Sequence, residues 1–352
     1  MENRDSQVTL NEIYNQPQAC EQTLASADAR QRILAALGPL QQYTEIVLTG
    51  CGSSYNLAKC ASFAWSAILG RPVRAIASSE LMGFPEVYLG AGARPLVLAI
   101  SRTGGTTEVQ LAVERMRSEY KARALAITGQ PDSAVGAVCD AEIAFTECHE
   151  ESIVMTQAFT CMLTGLYLLA DGAAGWRNRS GLSLIPCLIS ASVERYAETL
   201  QRIAEDGHTR EFVYLGSGVM KGLSDECSLK MTEMALSPTT SHRSLEFRHG
   251  PKAALDEGSQ VVIFPVAAEL PHLETLLSEI RATEAQTLII TTEGNFDSSG
   301  SGSLRLGAEL SEFLRPAVYA HIGQLLACWR SLSKGLNPNS PRHLARTVLL
   351  DV

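Results

Sequence analysis

The chain has 352 residues, is 45% hydrophobic and 19% charged, and carries a formal net charge of −9. That is the make-up of a folded protein long enough for two ordinary domains, and its acidic balance disfavours nonspecific binding to nucleic acid or to an anionic membrane. Nine cysteines without a Cys-x-x-Cys pair argue for reduced thiols and a cytoplasmic location, no N-terminal apolar segment reads as a signal peptide, and the apolar run 158–170 is too short to span a bilayer.

Residues 1–32 are expected to form an N-terminal helical segment, and an α/β domain is expected over 33–170. Ile46-Val47-Leu48, Leu96 to Ile100 and Ala124 to Ile127 are continuous apolar runs, which predicts buried strands. Each runs into turn chemistry: Gly50-Cys51-Gly52-Ser53-Ser54, then Ser101-Arg102-Thr103-Gly104-Gly105-Thr106-Thr107, then Thr128-Gly129-Gln130-Pro131. Apolar residues at helical spacing predict helices over 55–69 and 108–120. The alternation predicts a parallel sheet with helices on both faces.

The second turn is the most informative. Glycines let a backbone close around a ligand, and a helix start offers N–H groups and a positive dipole end. Ser101, Thr103, Thr106 and Thr107 add hydroxyls, so the turn suits a phosphate; no Gly-Lys-Ser/Thr follows, so it is not a Walker loop. The competing reading is a purely structural strand-to-helix turn.

After an expected linker at 171–181, the pattern returns over 182–340. Phe212 to Leu215 leads into Gly216-Ser217-Gly218, and one offset of 166 positions places Gly50 on Gly216, Gly52 on Gly218 and Val97–Ile100 on Ile263–Val266. A repeat this long predicts a duplicated domain. The copies differ where chemistry would sit, because Pro265-Val266-Ala267-Ala268 replaces the hydroxyl-rich turn. Glu226, Lys230 and Glu233, spaced i, i+4, i+7, share one helix face, with a solvated Glu–Lys pair as the alternative. In Glu246-Phe247-Arg248-His249-Gly250-Pro251, a histidine precedes Gly-Pro at an element end, where it can project into a cleft and titrate near neutrality. Residues 295–303 are Ser/Gly-rich and expected to be a mobile loop.

Together these pieces resemble the sugar isomerase (SIS) domain family of phosphosugar enzymes, over nearly everything from Ile33 onward. Glu150-Glu151-Ser152 looks like the family's Glu-x-Ser signature, and Pro341 to Val348 matches its closing motif. The arrangement is similar to the isomerase half of glucosamine-6-phosphate synthase, and closer to stand-alone amino-sugar-phosphate deaminases and tagatose-6-phosphate ketose/aldose isomerases. The resemblance implies two tandem, doubly wound (flavodoxin-like) SIS domains, with the tail 341–352 contributing to the site. It implies phosphate and substrate contacts from Ser53, Ser54, Ser101, Arg102, Thr103 and Thr106, with Ser152, Glu226 and Arg346 also at the site. Glu233 would move a proton between C1 and C2, Lys230 would assist with charge, and Glu226 would support them. His249 would assist ring opening in the partner subunit of a homodimer. No metal or other cofactor, nucleic acid or membrane partner is expected.

Two positions depart from the pattern. Arg102 stands where the synthase has glutamine, and its fork is expected to strengthen phosphate binding. Arg346 stands where many relatives have a lysine that meets the sugar carbonyl; an arginine stays protonated and does not readily form a Schiff base. The expected activity is aldose–ketose isomerisation of an amino-sugar 6-phosphate through an enediolate, with deamination where the substrate carries a 2-amino group. The alternatives are a non-catalytic sugar-phosphate sensor and a deglycase of a phosphorylated sugar–amine adduct. Because the chain begins Met1-Glu2-Asn3, without a cysteine nucleophile, and 1–32 is too short for a glutaminase domain, ammonia transfer from glutamine is not expected.

Overall fold

The apolar runs become the central strands of two sheets in a computed structural model that describes residues 7–292 and 301–350. β1 (Ile46–Gly50), β2 (Arg74–Ala77), β3 (Leu96–Ser101), β4 (Arg123–Thr128) and β5 (Ala141–Ala144) form one parallel sheet in the order β2-β1-β3-β4-β5. β6 (Glu211–Gly216), β7 (Thr239–His242), β8 (Ser259–Phe264), β9 (Gln286–Thr291) and β10 (Ser301–Arg305) form the second, in the order β10-β9-β8-β6-β7. Numbered within its own half, each sheet runs 2-1-3-4-5, the doubly wound flavodoxin-like order. β1 and β3 are buried along their whole length, which is why Ile46–Leu48 and Leu96–Ile100 read as unbroken apolar runs.

The helices are α1 (Val8–Tyr14), α2 (Gln16–Ala25), α3 (Ala27–Ala35), α4 (Ser53–Leu69), α5 (Thr107–Tyr120), α6 (Gln157–Ala173), α7 (Ile185–Glu205), α8 (Val219–Ala235), α9 (Leu270–Arg281) and α10 (Arg315–Ser333), with shorter helical turns between them. α4, α6, α8 and α10 pack between the two sheets, and one apolar cluster runs through all four. A Cβ at Gly222 of α8 would lie 2.7 Å from the Asn56 carbonyl oxygen and 2.8 Å from the Cys60 nitrogen of α4, so the two helices meet backbone to backbone there. The apolar run 158–170 is α6, buried on every side; Trp65 Nε1 of α4 donates to its Leu166 carbonyl at 2.9 Å. Among the described residues, no helix is long and apolar enough to cross a membrane.

The expected linker is tied down by Asp171, whose carboxylate accepts from Asn178 N at 2.7 Å and Nδ2 at 3.0 Å. The Ser/Gly-rich stretch departs from expectation in part. Residues 293–300 lie outside the described residues, but 301–303 are strand, with Gly302 and Ser303 paired to Leu288 and Ile289 of β9. An edge strand needs only backbone pairing on one side, so it carries no apolar signature.

Candidate functional site

The site lies at the C-terminal edge of the first sheet, between β1 and β3, where the strand order reverses. In open α/β sheets this switch point is where ligands bind. Gly52, at φ 53° and ψ −125°, turns the chain from β1 into α4, and Gly218 repeats the conformation (φ 54°, ψ −126°) between β6 and α8. This backbone region is open essentially to glycine alone. Ser53 and Ser54 thereby become the first residues of α4, both largely buried. After β3 the chain turns through Gly104, at φ 64°, where a Cβ would strike Ser133 Cβ at 2.2 Å. α5 then starts at Thr107, so two positive helix ends converge on one place.

The convergence opens into a cavity of about 230 Å³. Ser53, Ser54, Arg102, Thr103 and Thr106 line it from the first domain, Lys230 and Glu233 from α8, and Arg346 from the C-terminal tail. Residues as distant in sequence as Ser53 and Lys230 therefore share a wall because α4 and α8 are in contact. Ser101 sits behind the turn, its Oγ 3.0 Å from Thr106 Oγ1. Glu226 lies behind Lys230, fully buried, and accepts from Asn56 Nδ2 at 3.0 Å. Ser152 is turned away, its Oγ 2.7 Å from Thr9 Oγ1. His249, on the helical turn Glu246–His249, is exposed and outside the cavity of its own chain.

Lys230 is 1% exposed, with Glu226 Oε1 at 3.4 Å and Glu233 Oε2 in hydrogen-bond contact. Burial alone would lower the lysine's pKa, but the two carboxylates outweigh it and hold it above the ordinary value, so the ammonium stays charged. Glu226 is pushed up, first by burial and also by the charge of Glu233. Glu233 is 20% exposed and lines the cavity beside the almost fully buried Lys230.

The two arginines do not stand free. Arg102 Nη1 bonds to Glu150 Oε2 at 3.0 Å and to the Val154 carbonyl at 2.9 Å, while Nη2 bonds to the Ile153 carbonyl at 2.6 Å. Its fork is taken up by the 150–155 segment rather than offered to a phosphate, which departs from the role expected of it. Arg346 donates to the carbonyls of Glu150 and Glu151, the latter at 3.3 Å. Next to it, Thr347 Oγ1 donates to Thr103 Oγ1 at 3.0 Å, which lays the tail across the hydroxyl turn.

Sequence reasoning did not single out Cys51, Glu108, the segment Ile153–Met155 or Thr347, which also line the cavity. All flank or fall within the motifs already noted. Burial, and then Glu108, push the Cys51 thiol up to about 11, so it stays neutral at pH 7. In the second lobe the Glu312 carboxylate accepts from Ala267 N at the start of the helical turn leading into α9.

Residues 40–171 match the SIS domain family model. The glutamine–fructose-6-phosphate aminotransferase (isomerizing) of Chlamydia caviae is 26% identical over 361 residues, covering 97% of this chain and 58% of that protein. The chain thus spans little more than half the length of such relatives. Among solved structures, glucosamine-6-phosphate deaminase from Thermotoga maritima superposes with a TM-score of 0.82 at 28% identity, covering 97% of this chain and 99% of that one. Tagatose-6-phosphate ketose/aldose isomerase from Escherichia coli superposes with a TM-score of 0.84 at 23% identity, covering 94% of each chain. Residues 40–171 are thus similar to the SIS family, and the second half of the chain repeats the 2-1-3-4-5 strand order of the first.

Proposed function

We propose that the chain is a phosphosugar aldose–ketose isomerase that acts on an amino-sugar 6-phosphate and releases its amine as ammonia. One observation carries this reading: the Glu233–Lys230 pair of α8 faces, across a single cavity, the hydroxyl turn and helix starts of the first domain. The likeness to a glucosamine-6-phosphate deaminase supports it.

In this mechanism Ser53, Ser54, Thr103 and Thr106 hold the phosphate, with Ser101 bracing Thr106. Binding energy from that end fixes C1 and C2 of the open-chain sugar against Glu233. The Glu233 carboxylate removes the proton from C2, and the electron pair moves to the C1 carbonyl oxygen. The Lys230 ammonium, held charged by two carboxylates, stabilises the enolate that forms. Return of the proton to C1 draws the C2 nitrogen's lone pair into a carbon–nitrogen double bond, and a proton passing from that nitrogen to the C1 oxygen leaves an imine at C2 and a hydroxyl at C1. Water adds there and ammonia departs, so amino-sugar phosphate and water become ketose phosphate and ammonia. His249 of a second copy assists ring opening, consistent with its exposure on its own chain.

Glu233→Gln preserves shape and removes the base. Ammonia release from glucosamine 6-phosphate is expected to fall by about 10²- to 10⁴-fold, while the sugar phosphate still raises the melting temperature. Undiminished ammonia release by the variant would overturn the assignment of the base. No thermal shift of the wild type with any sugar 6-phosphate would overturn the whole reading.

A further inference from the structure

The segment 150–156 has an unusual backbone account. Buried carbonyls need donors, and segments that are neither helix nor strand must find them outside the regular ladders. Here two arginines supply them. Arg346 meets the carbonyls of Glu150 and Glu151, and Arg102 meets those of Ile153 and Val154, with Ser152 more distant at 3.5 Å. Five consecutive carbonyls thus face two guanidinium groups, one from the turn after β3 and one from the C-terminal tail.

The rest of the segment is equally anchored. Glu12 Oε1 of α1 accepts from Glu151 N and Ser152 N, and Ile153 N donates to the Asn339 carbonyl at 2.9 Å. The Glu150 side chain is fully buried and joins the two ends of the assembly. Its Oε2 takes the Arg102 bond, and its Oε1 accepts from Thr156 N at 2.7 Å and Ala158 N at 3.1 Å at the start of α6. A carboxylate at that helix end is well placed electrostatically. Arg102 itself is 11% exposed.

We propose that Arg102 and Arg346 act as one two-arginine clamp on the 150–154 backbone, which seats the C-terminal tail over the cavity and keeps both guanidinium groups on the protein's own carbonyls. The two residues that depart from the family pattern are therefore one coupled feature. Arg102 is a positioning residue and not a phosphate ligand, and position 346 contributes tail anchoring in place of an amine. The planar fork is what allows this, since a lysine ammonium is a point charge that cannot span two successive carbonyls in one plane.

The coupling is tested on the full chain by hydrogen exchange with mass spectrometry, a readout that stands whether or not the protein turns over a sugar phosphate. Arg102 has no hydrogen bond to the tail among the described residues. If the clamp exists, Arg102→Gln speeds exchange in peptides covering 341–350 by roughly tenfold, and Arg346→Lys speeds exchange in 150–156. The double variant then loosens the tail no further than Arg102→Gln alone. Arg102→Lys keeps the charge but loses the fork, and is expected to behave like Arg102→Gln. Tail exchange within twofold of wild type in Arg102→Gln, multiplying effects in the double variant, or wild-type exchange in Arg102→Lys would each overturn the proposal.

Discussion

Lys230 shows how one residue ties stability to chemistry. An ammonium 1% exposed is tolerable only because Glu226 and Glu233 flank it, and each carboxylate in turn depends on the cation. Lys230→Met is expected to cost about 3–5 kcal/mol of unfolding free energy by leaving two neighbouring carboxylates without a cation, read from the denaturant midpoint at pH 7. Adding Glu226→Gln should return part of that loss; a double variant as unstable as the sum of the two singles would refute the coupling. The i, i+4, i+7 spacing placed this trio on one face, as found. It did not reveal that Glu226 is sealed behind Lys230 while Glu233 opens to the cavity, because that depends on α4 and Asn56 packing against the trio.

At the scale of elements, helix contacts set the distance across the site. Gly222→Ala puts a methyl 2.7 Å from the Asn56 carbonyl oxygen, so α4 and α8 must separate. The expected cost is about 1–3 kcal/mol, visible as a melting temperature lower by several degrees; an unchanged melting temperature would mean that the interface adjusts freely. His321 on α10 is fully buried, with Nε2 3.0 Å from Ser192 Oγ of α7. Burial lowers its pKa to about 4, against roughly 6.5 in the unfolded chain. The unfolded state therefore binds the proton first, and stability is lost as pH falls from 6.5 towards 4, by about 1.4 kcal/mol per pH unit within that window. His321→Gln should flatten this slope, measured by chemical denaturation at pH 7 and pH 5; an equal slope in both proteins would place the acid sensitivity elsewhere. The central strands were legible as apolar runs because both faces are covered. The short edge strands β2, β5, β7 and β10 were not, since half-exposed pairs of four or five residues leave no continuous signal.

At the scale of the whole molecule, the proposed mechanism calls on two copies of the chain. His249 lies outside the cavity of its own chain, so a complete site as proposed draws on two copies. Glu233→Gln and His249→Ala, each inactive alone, should complement when co-expressed. A mixed dimer holds one site with both changes and one with neither, so roughly a quarter of wild-type ammonia release is expected from a statistical mixture. No recovery from a verified mixed dimer would show that the two residues serve the same copy's site.

The sequence by itself determined the α/β class, the repeat of strand-glycine-helix units and the hydroxyl turn, because buried parallel strands and glycine-dependent turns are local demands that each segment must meet alone. It also marked the residues of the α8 trio. Only the tertiary structure decided which side chains share a cavity and which arginine bonds go where. Arg102 and Arg346 look like ligand-binding groups when read singly, yet both are consumed by carbonyls of a distant segment. A need for backbone donors leaves no mark in the residues that have it, so it becomes visible only when the chain is folded around it.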